Sequence, residues 1–137
     1  MSLLCRDDAP VDVLSSRILL RPVDPARSQT FYRDVLGLAV YREFGPPDHP
    51  GVVFFLGNGL LEVSGPGDEP PRGMALWVQV RDVAAEVERL RAAGTTVLRE
   101  PQTEPWGLVE AWIADPEGVS IVLVEVPADH PLRRDQR

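Results

Sequence analysis

Hydrophobic positions along this chain follow two periods that alternate twice. Ser16–Arg21 sets Ile18 and Leu20 on one side of an extended segment and Arg17, Leu19 and Arg21 on the other, the period of a half-buried strand. Asp24–Leu38 then brings Phe31, Tyr32, Val35 and Leu36 to helical spacing and leaves Arg27, Arg33 and Asp34 for solvent. The ends of that helix are marked. Asp24 is suited to accept from its orphan N–H groups, Pro25 fits its first turn, and Gly37 permits the left-handed residue that closes it. Ile18 and Leu20 are expected beneath it. Extended segments follow at Leu38–Phe44, Val52–Leu56 and Leu60–Ser64, broken by the loop 45–51, which contains His49, and by the tight turn Gly57-Asn58-Gly59.

The same grammar returns after a linker, 65–73, that holds three prolines and three glycines in nine residues. Met74–Arg81 alternates Leu76, Val78 and Val80 with Ala75, Trp77 and Gln79. The helix Asp82–Thr95 carries Val83, Val87 and Leu90, with Asp82 as its cap and Gly94 at its end. Extended runs follow at Thr95–Arg99, Leu108–Ala114 and Val119–Val126, separated by a loop over Glu100–Gly107 and by the turn Asp115-Pro116-Glu117-Gly118. Asp24 and Asp82 lie 58 positions apart and Gly37 and Gly94 lie 57 apart, which points to a duplicated module. Module one spans 16–64 and module two 74–126, with an arm over 1–15 and a polar, frayed tail over 127–137.

Composition narrows the function. At 137 residues and 44% hydrophobic the chain forms one domain with a real core. A net charge of −7, from 21 acidic against 14 basic residues, argues against nucleic acid as a partner and favours polar or cationic small ligands. Cys5 is alone, so no disulfide forms within the chain. No apolar run reaches membrane-spanning length and no secretory leader precedes the first strand, so a cytoplasmic location is expected. Two histidines and a single Cys5 offer no Ser-His-Asp or Cys-His nucleophile.

Asp24, Ser28 and the run Phe31–Leu38 in module one, with Pro105-Trp106-Gly107 and Asp115-Pro116-Glu117-Gly118 in module two, resemble the vicinal oxygen chelate superfamily of glyoxalases, bleomycin resistance proteins and extradiol dioxygenases. The resemblance covers 16–126. It implies an α+β fold of two tandem βαβββ modules whose sheets curl into an open cleft, commonly completed by a second subunit, so a homodimer is expected.

In metal-dependent members the ligands come from the first and last strands of each module. Those places fall here on Arg17, Glu62, Ala75 and Val122, and among them only Glu62 can ligate a divalent metal. No metal or other cofactor is therefore expected. Taking Arg17 and Ala75 to face the cleft, strand alternation adds Leu19, Arg21, Trp77 and Gln79. Glu110 and Trp112 share a face on their strand, and Phe54 and Trp106 are counted with them. Trp77 and Trp112 have two readings, as cleft walls or as core filling. Arg17 and Glu62 are expected to meet on one concave wall, either paired with each other or with Arg17 free to grip a ligand anion. The resulting function is metal-free sequestration of an aromatic or cationic antibiotic or metabolite. The alternatives are a lyase, isomerase or dioxygenase that has shifted its ligands or uses Glu62 as general base without a metal, and a structural or regulatory module with a vestigial cleft.

Overall fold

A computed structural model describes residues 10–134; Cys5 and the first nine residues of the arm lie outside the described residues. Module one runs through β1 (Ile18–Leu20), α1 (Pro25–Thr30), a π-helical turn (Phe31–Val35), β2 (Val40–Phe44), β3 (Gly51–Leu56) and β4 (Gly59–Val63). Module two runs through β5 (Ala75–Gln79), α2 (Val83–Ala92), β6 (Thr96–Thr103), β7 (Val109–Ala114) and β8 (Ser120–Glu125), and a short α3 (Pro131–Arg134) follows. The fold is α+β, built of two tandem βαβββ modules. Each module makes its own four-stranded sheet, in the order β1-β4-β3-β2 and β5-β8-β7-β6. The first and last strands of a module pair in parallel and the remaining pairs are antiparallel.

Both helices start where the sequence marks them. Asp24 accepts from the Arg27 N–H at 3.2 Å, and Asp82 accepts from the Ala85 N–H at 3.1 Å. Gly37 and Gly94 close them at φ +85° and +89°, a region that costs glycine nothing. The first helix is not uniform: it widens after Thr30, and the Leu36 N–H reaches the Phe31 carbonyl at 2.8 Å.

The helix-facing sides of the two sheets share one core. Leu20, Tyr32, Phe54, Leu61 and Val63 from module one join Leu76, Val87, Leu90, Ile113, Ile121 and Leu123 from module two. Among the described residues, the side-chain hydrogen bonds between modules lie on this side. The Tyr32 hydroxyl donates to Asp115 at 2.7 Å, and Glu117 accepts from the N–H groups of Val23 and Asp24 at 2.8 and 2.7 Å. Arg89 donates to the Val35 carbonyl at 2.8 Å.

Three segments differ from the sequence expectation. Ile18 is 41% exposed although Leu20 is buried, because β1 is an edge strand whose start lies beyond the cover of the helix. The loop expected from Glu100 begins only after Thr103: β6 is also an edge strand, and its irregular pairing between Arg99 and Gln102 accommodates Pro101. The tail does not fray at once. Leu132 packs on Leu108, Val122, Val124 and Val126, and the His130 ring meets the Trp106 carbonyl at 3.0 Å.

Candidate functional site

With the aliphatic side of each sheet committed to the core, the opposite sides are left for function. Register identifies their members, because cross-strand partners share a face. In sheet one Leu19 pairs with Glu62, and Glu62 pairs with Val53, which in turn pairs with Arg42. Phe55 pairs with Leu60 on the same face. Arg17 and Arg21 flank Leu19 there by alternation. In sheet two Trp77 and Trp112 both pair with Val122, Gln79 and Glu110 both pair with Val124, and Arg99 pairs with Trp112.

Phe54 is the exception among the sequence-derived site residues. It is fully buried on the helix side, opposite Leu61, with its ring centroid 6.3 Å from that of Tyr32. Its assignment to the cleft is corrected by the hairpin itself. The turn Gly57-Asn58 puts Leu56 opposite Gly59, so counting back pairs Val53, not Phe54, with Glu62. Val53 and Phe55 are the open-face residues of β3, and that count was available from the sequence.

The centre of sheet one's open face is a buried carboxylate. Glu62 accepts from the Arg17 guanidinium at 3.1 Å and from the Ser64 hydroxyl at 2.8 Å, while Arg21 Nη2 stands 3.9 Å from its other oxygen. The Glu62 side chain is 10% exposed, whereas those of Arg17 and Arg21 are 34% and 55% exposed. One carboxylate is thus shared by two arginines that still reach solvent. Around this centre lie Leu19, Phe55 and Tyr41, the last two in edge contact with ring centroids 5.2 Å apart.

Sheet two presents an aromatic face. Trp77 is 51% exposed, Trp112 is partly buried, and Val122 lies between them. Trp106 stands on the loop after β6, its indole N–H donating to Glu110 at 2.8 Å. That loop is braced: the Glu104 N–H donates to the Leu108 carbonyl at 2.8 Å, and the Glu104 side chain takes Arg99 and Gln102 as donors. The Arg99 hydrogen bond holds the Glu104 carboxyl below the usual carboxylate range, so it stays ionised. Leu132 covers the Val124–Val126 end of this face, a contribution from the tail that its polar composition did not signal.

The donor chemistry is poor for a metal. At the four positions that the resemblance implies for ligands stand an arginine, a glutamate already accepting from two side chains, an alanine and a valine. Among the described residues, no three His, Cys, Asp or Glu side chains are grouped as a metal would require. His49 remains in its loop against Asp48, at 2.9 Å. No helix is long and apolar enough to cross a membrane among the described residues.

Comparison with known proteins supplies the context for these two faces. The sequence model of the glyoxalase/bleomycin resistance protein/dioxygenase superfamily matches residues 15–123. Lactoylglutathione lyase of Haemophilus influenzae is 32% identical over 119 residues, which cover 78% of this chain and 88% of that protein. The fold is similar to that of TnmS3, an antibiotic binding protein from Streptomyces sp. CB03234, with a TM-score of 0.72 at 20% identity over 87% of this chain and 100% of that one. It is also similar to TioX from Micromonospora sp. ML1, with a TM-score of 0.70 at 21% identity over 82% and 98% of the two chains. With two βαβββ modules, open sheet faces at the expected strands and a sequence match over nearly all of both, the chain belongs to the glyoxalase/bleomycin resistance protein/dioxygenase superfamily.

Proposed function

We propose that this protein binds a flat aromatic small molecule, an antibiotic or a metabolite, on the open faces of its sheets, without a metal and without turning it over. The observation that carries this reading is the half-exposed Trp77 beside Trp112. Both tryptophans sit opposite the side of their strands that faces the shared core; Trp112 packs on the smaller cluster of Leu108, Val122, Val124 and Val126, while Trp77 is half exposed, where an aromatic ligand would stack. The ligand positions that hold Arg17, Ala75 and Val122 support the absence of a metal. The antibiotic-binding relative of similar fold agrees with this reading.

Among the described residues the modules join on their helix sides, and the open faces are covered only in part, by Leu132 on sheet two and by Val13–Ser16 beside Phe55 and Leu60 on sheet one. A second copy that lays its tryptophan face over the Arg17–Glu62 face would close the site and cover Leu19, Phe55 and Trp77. Light scattering at micromolar concentration is accordingly expected to give a dimer mass, and a monomer mass would contradict this arrangement.

The lyase relative favours a second reading, in which Glu62 acts as a general base on a glutathione conjugate. One experiment separates the two: elemental analysis of the purified protein, followed by melting shifts with aromatic antibiotics, aromatic metabolites and glutathione conjugates. Binding predicts less than one bound metal per chain and a shift with aromatic compounds. Turnover of a glutathione conjugate on adding nickel or zinc would overturn it.

A further inference from the structure

Among the described residues, the open face of sheet one bears three arginines, Arg17, Arg21 and Arg42, and a single carboxylate, Glu62, in a chain whose net charge is −7. We infer that this face is an anion subsite: the aromatic ligand carries a carboxylate, sulfonate or phosphate that docks on Arg21 and Arg42 beside the Arg17–Glu62 pair. This deepens, and rests on, the reading of the open faces as a ligand site.

The charge on the face is not accidental surface noise. Glu62 is nearly buried and its two oxygens are already occupied by Arg17 and Ser64, with Arg21 at 3.9 Å, so it fixes the arginines without neutralising both. Arg21 keeps more than half of its side chain in solvent and has five donors in a planar fork, the geometry that grips an oxyanion through two parallel hydrogen bonds. Arg42 lies on the same rung of the sheet as Glu62, two strands away, about 10 Å along the hydrogen-bonding direction at the usual strand spacing. Its guanidinium stands 5.9 Å from the Phe44 ring centroid, and the tip of that ring reaches over Gly51, where a Cβ would collide with it. Among the described residues the Arg42 head is therefore steadied by an aromatic ring and by no carboxylate.

The carboxylates beside the open face of sheet two, which a second copy would bring opposite, do not cancel this charge. Glu104 is taken by Arg99 and Gln102, and Glu110 by Trp106. An anion between Arg21 and Arg42 would complete the charge balance of the face, with the aromatic body of the ligand left to the tryptophans. The acidity of the whole chain predicts a cationic ligand; the local arrangement predicts the opposite, and short-range charge outweighs distant charge in screened solution.

Isothermal titration with 2-naphthoic acid, 2-naphthamide and 2-naphthylmethylammonium tests this on one ring system. The acid is expected to bind about tenfold or more tightly than the amide, a difference of about 1.4 kcal/mol, and the ammonium compound most weakly. Arg21→Gln and Arg42→Gln are each expected to remove most of the acid's advantage and leave the amide unchanged. Arg33→Gln, on the helix side beside Asp34, is expected to change neither. Equal binding of acid and amide, preference for the ammonium compound, or an acid preference that survives both substitutions would overturn the anion subsite while leaving an aromatic site standing. Failure of all three compounds to bind would overturn both.

Discussion

Phe54→Ala is expected to lower the stability of the protein by about 3–5 kcal/mol, the range for truncating a large aromatic in a packed core. Phe54 is fully buried in β3, an interior strand of its sheet, opposite Leu61 and against the Tyr32 ring. Its helix-side neighbours come from both modules, so the cavity would open at their shared core. Urea unfolding followed by circular dichroism measures the loss. Ligand affinity of the folded fraction should not change, because Phe54 faces away from Glu62 and Arg17. Trp77→Ala is the converse case: a half-exposed side chain whose loss should cost little stability and most of the aromatic binding. A Phe54→Ala protein that melts normally but fails to bind would restore the residue to the cleft.

Asp115→Ala is expected to cost about 3 kcal/mol or more, because one buried carboxylate satisfies three donors. Its oxygens accept from the Tyr32 hydroxyl at 2.7 Å and from the N–H groups of Glu117 and Val119, both at 2.9 Å. Each buried donor left without a partner costs about 1–3 kcal/mol. Tyr32→Phe removes only one donor and should cost about 1 kcal/mol. The double substitution should cost less than the sum of the singles, since the hydroxyl that Asp115→Ala orphans is gone. A strictly additive result would show that Tyr32 and Asp115 are not coupled.

Burial, and secondarily the Asp115 charge and hydrogen bond, push the Tyr32 phenol far above its usual value of 10.0. The folded state thus holds this proton more tightly than the unfolded chain does. Its contribution to stability is complete below about 10 and declines as pH rises beyond that.

How much of this was legible in the sequence depends on which force fixed each part. The helix ends were readable because a cap is local: Asp24, Asp82, Gly37 and Gly94 act within four residues of their partners. The side assignment of Arg17, Glu62 and Val122 came from the resemblance and that of Leu19, Trp77 and Gln79 from extending it by period 2, while Glu110 and Trp112 were placed together by alternation; the pairing registers put Leu19 with Glu62, Trp77 and Trp112 with Val122, and Gln79 and Glu110 with Val124. Phe54 was misassigned by ignoring the hairpin count that the two-residue turn imposes. Arg42 and Phe55 were passed over for the same reason, and because an irregularity between Val40 and Arg42 shifts the alternation of β2. The continuation of β6 through Pro101 was hidden, since a proline reads as a break until its strand is known to be an edge. The docking of Leu132 depends on a long-range contact with β8, which no local pattern in a short polar tail announces.

The central claim, that ligand binds on the open faces, has a built-in reporter. The chain contains three tryptophans, and Trp77, Trp112 and Trp106 all belong to the aromatic face of sheet two or to the loop beside it. Tryptophan emission during titration with an aromatic compound selected by melting shift is therefore the most direct measurement. The account predicts saturable quenching whose midpoint matches the calorimetric affinity, and its loss in Trp77→Ala. A compound that stabilises the protein at the same affinity while leaving tryptophan emission unchanged would contradict it.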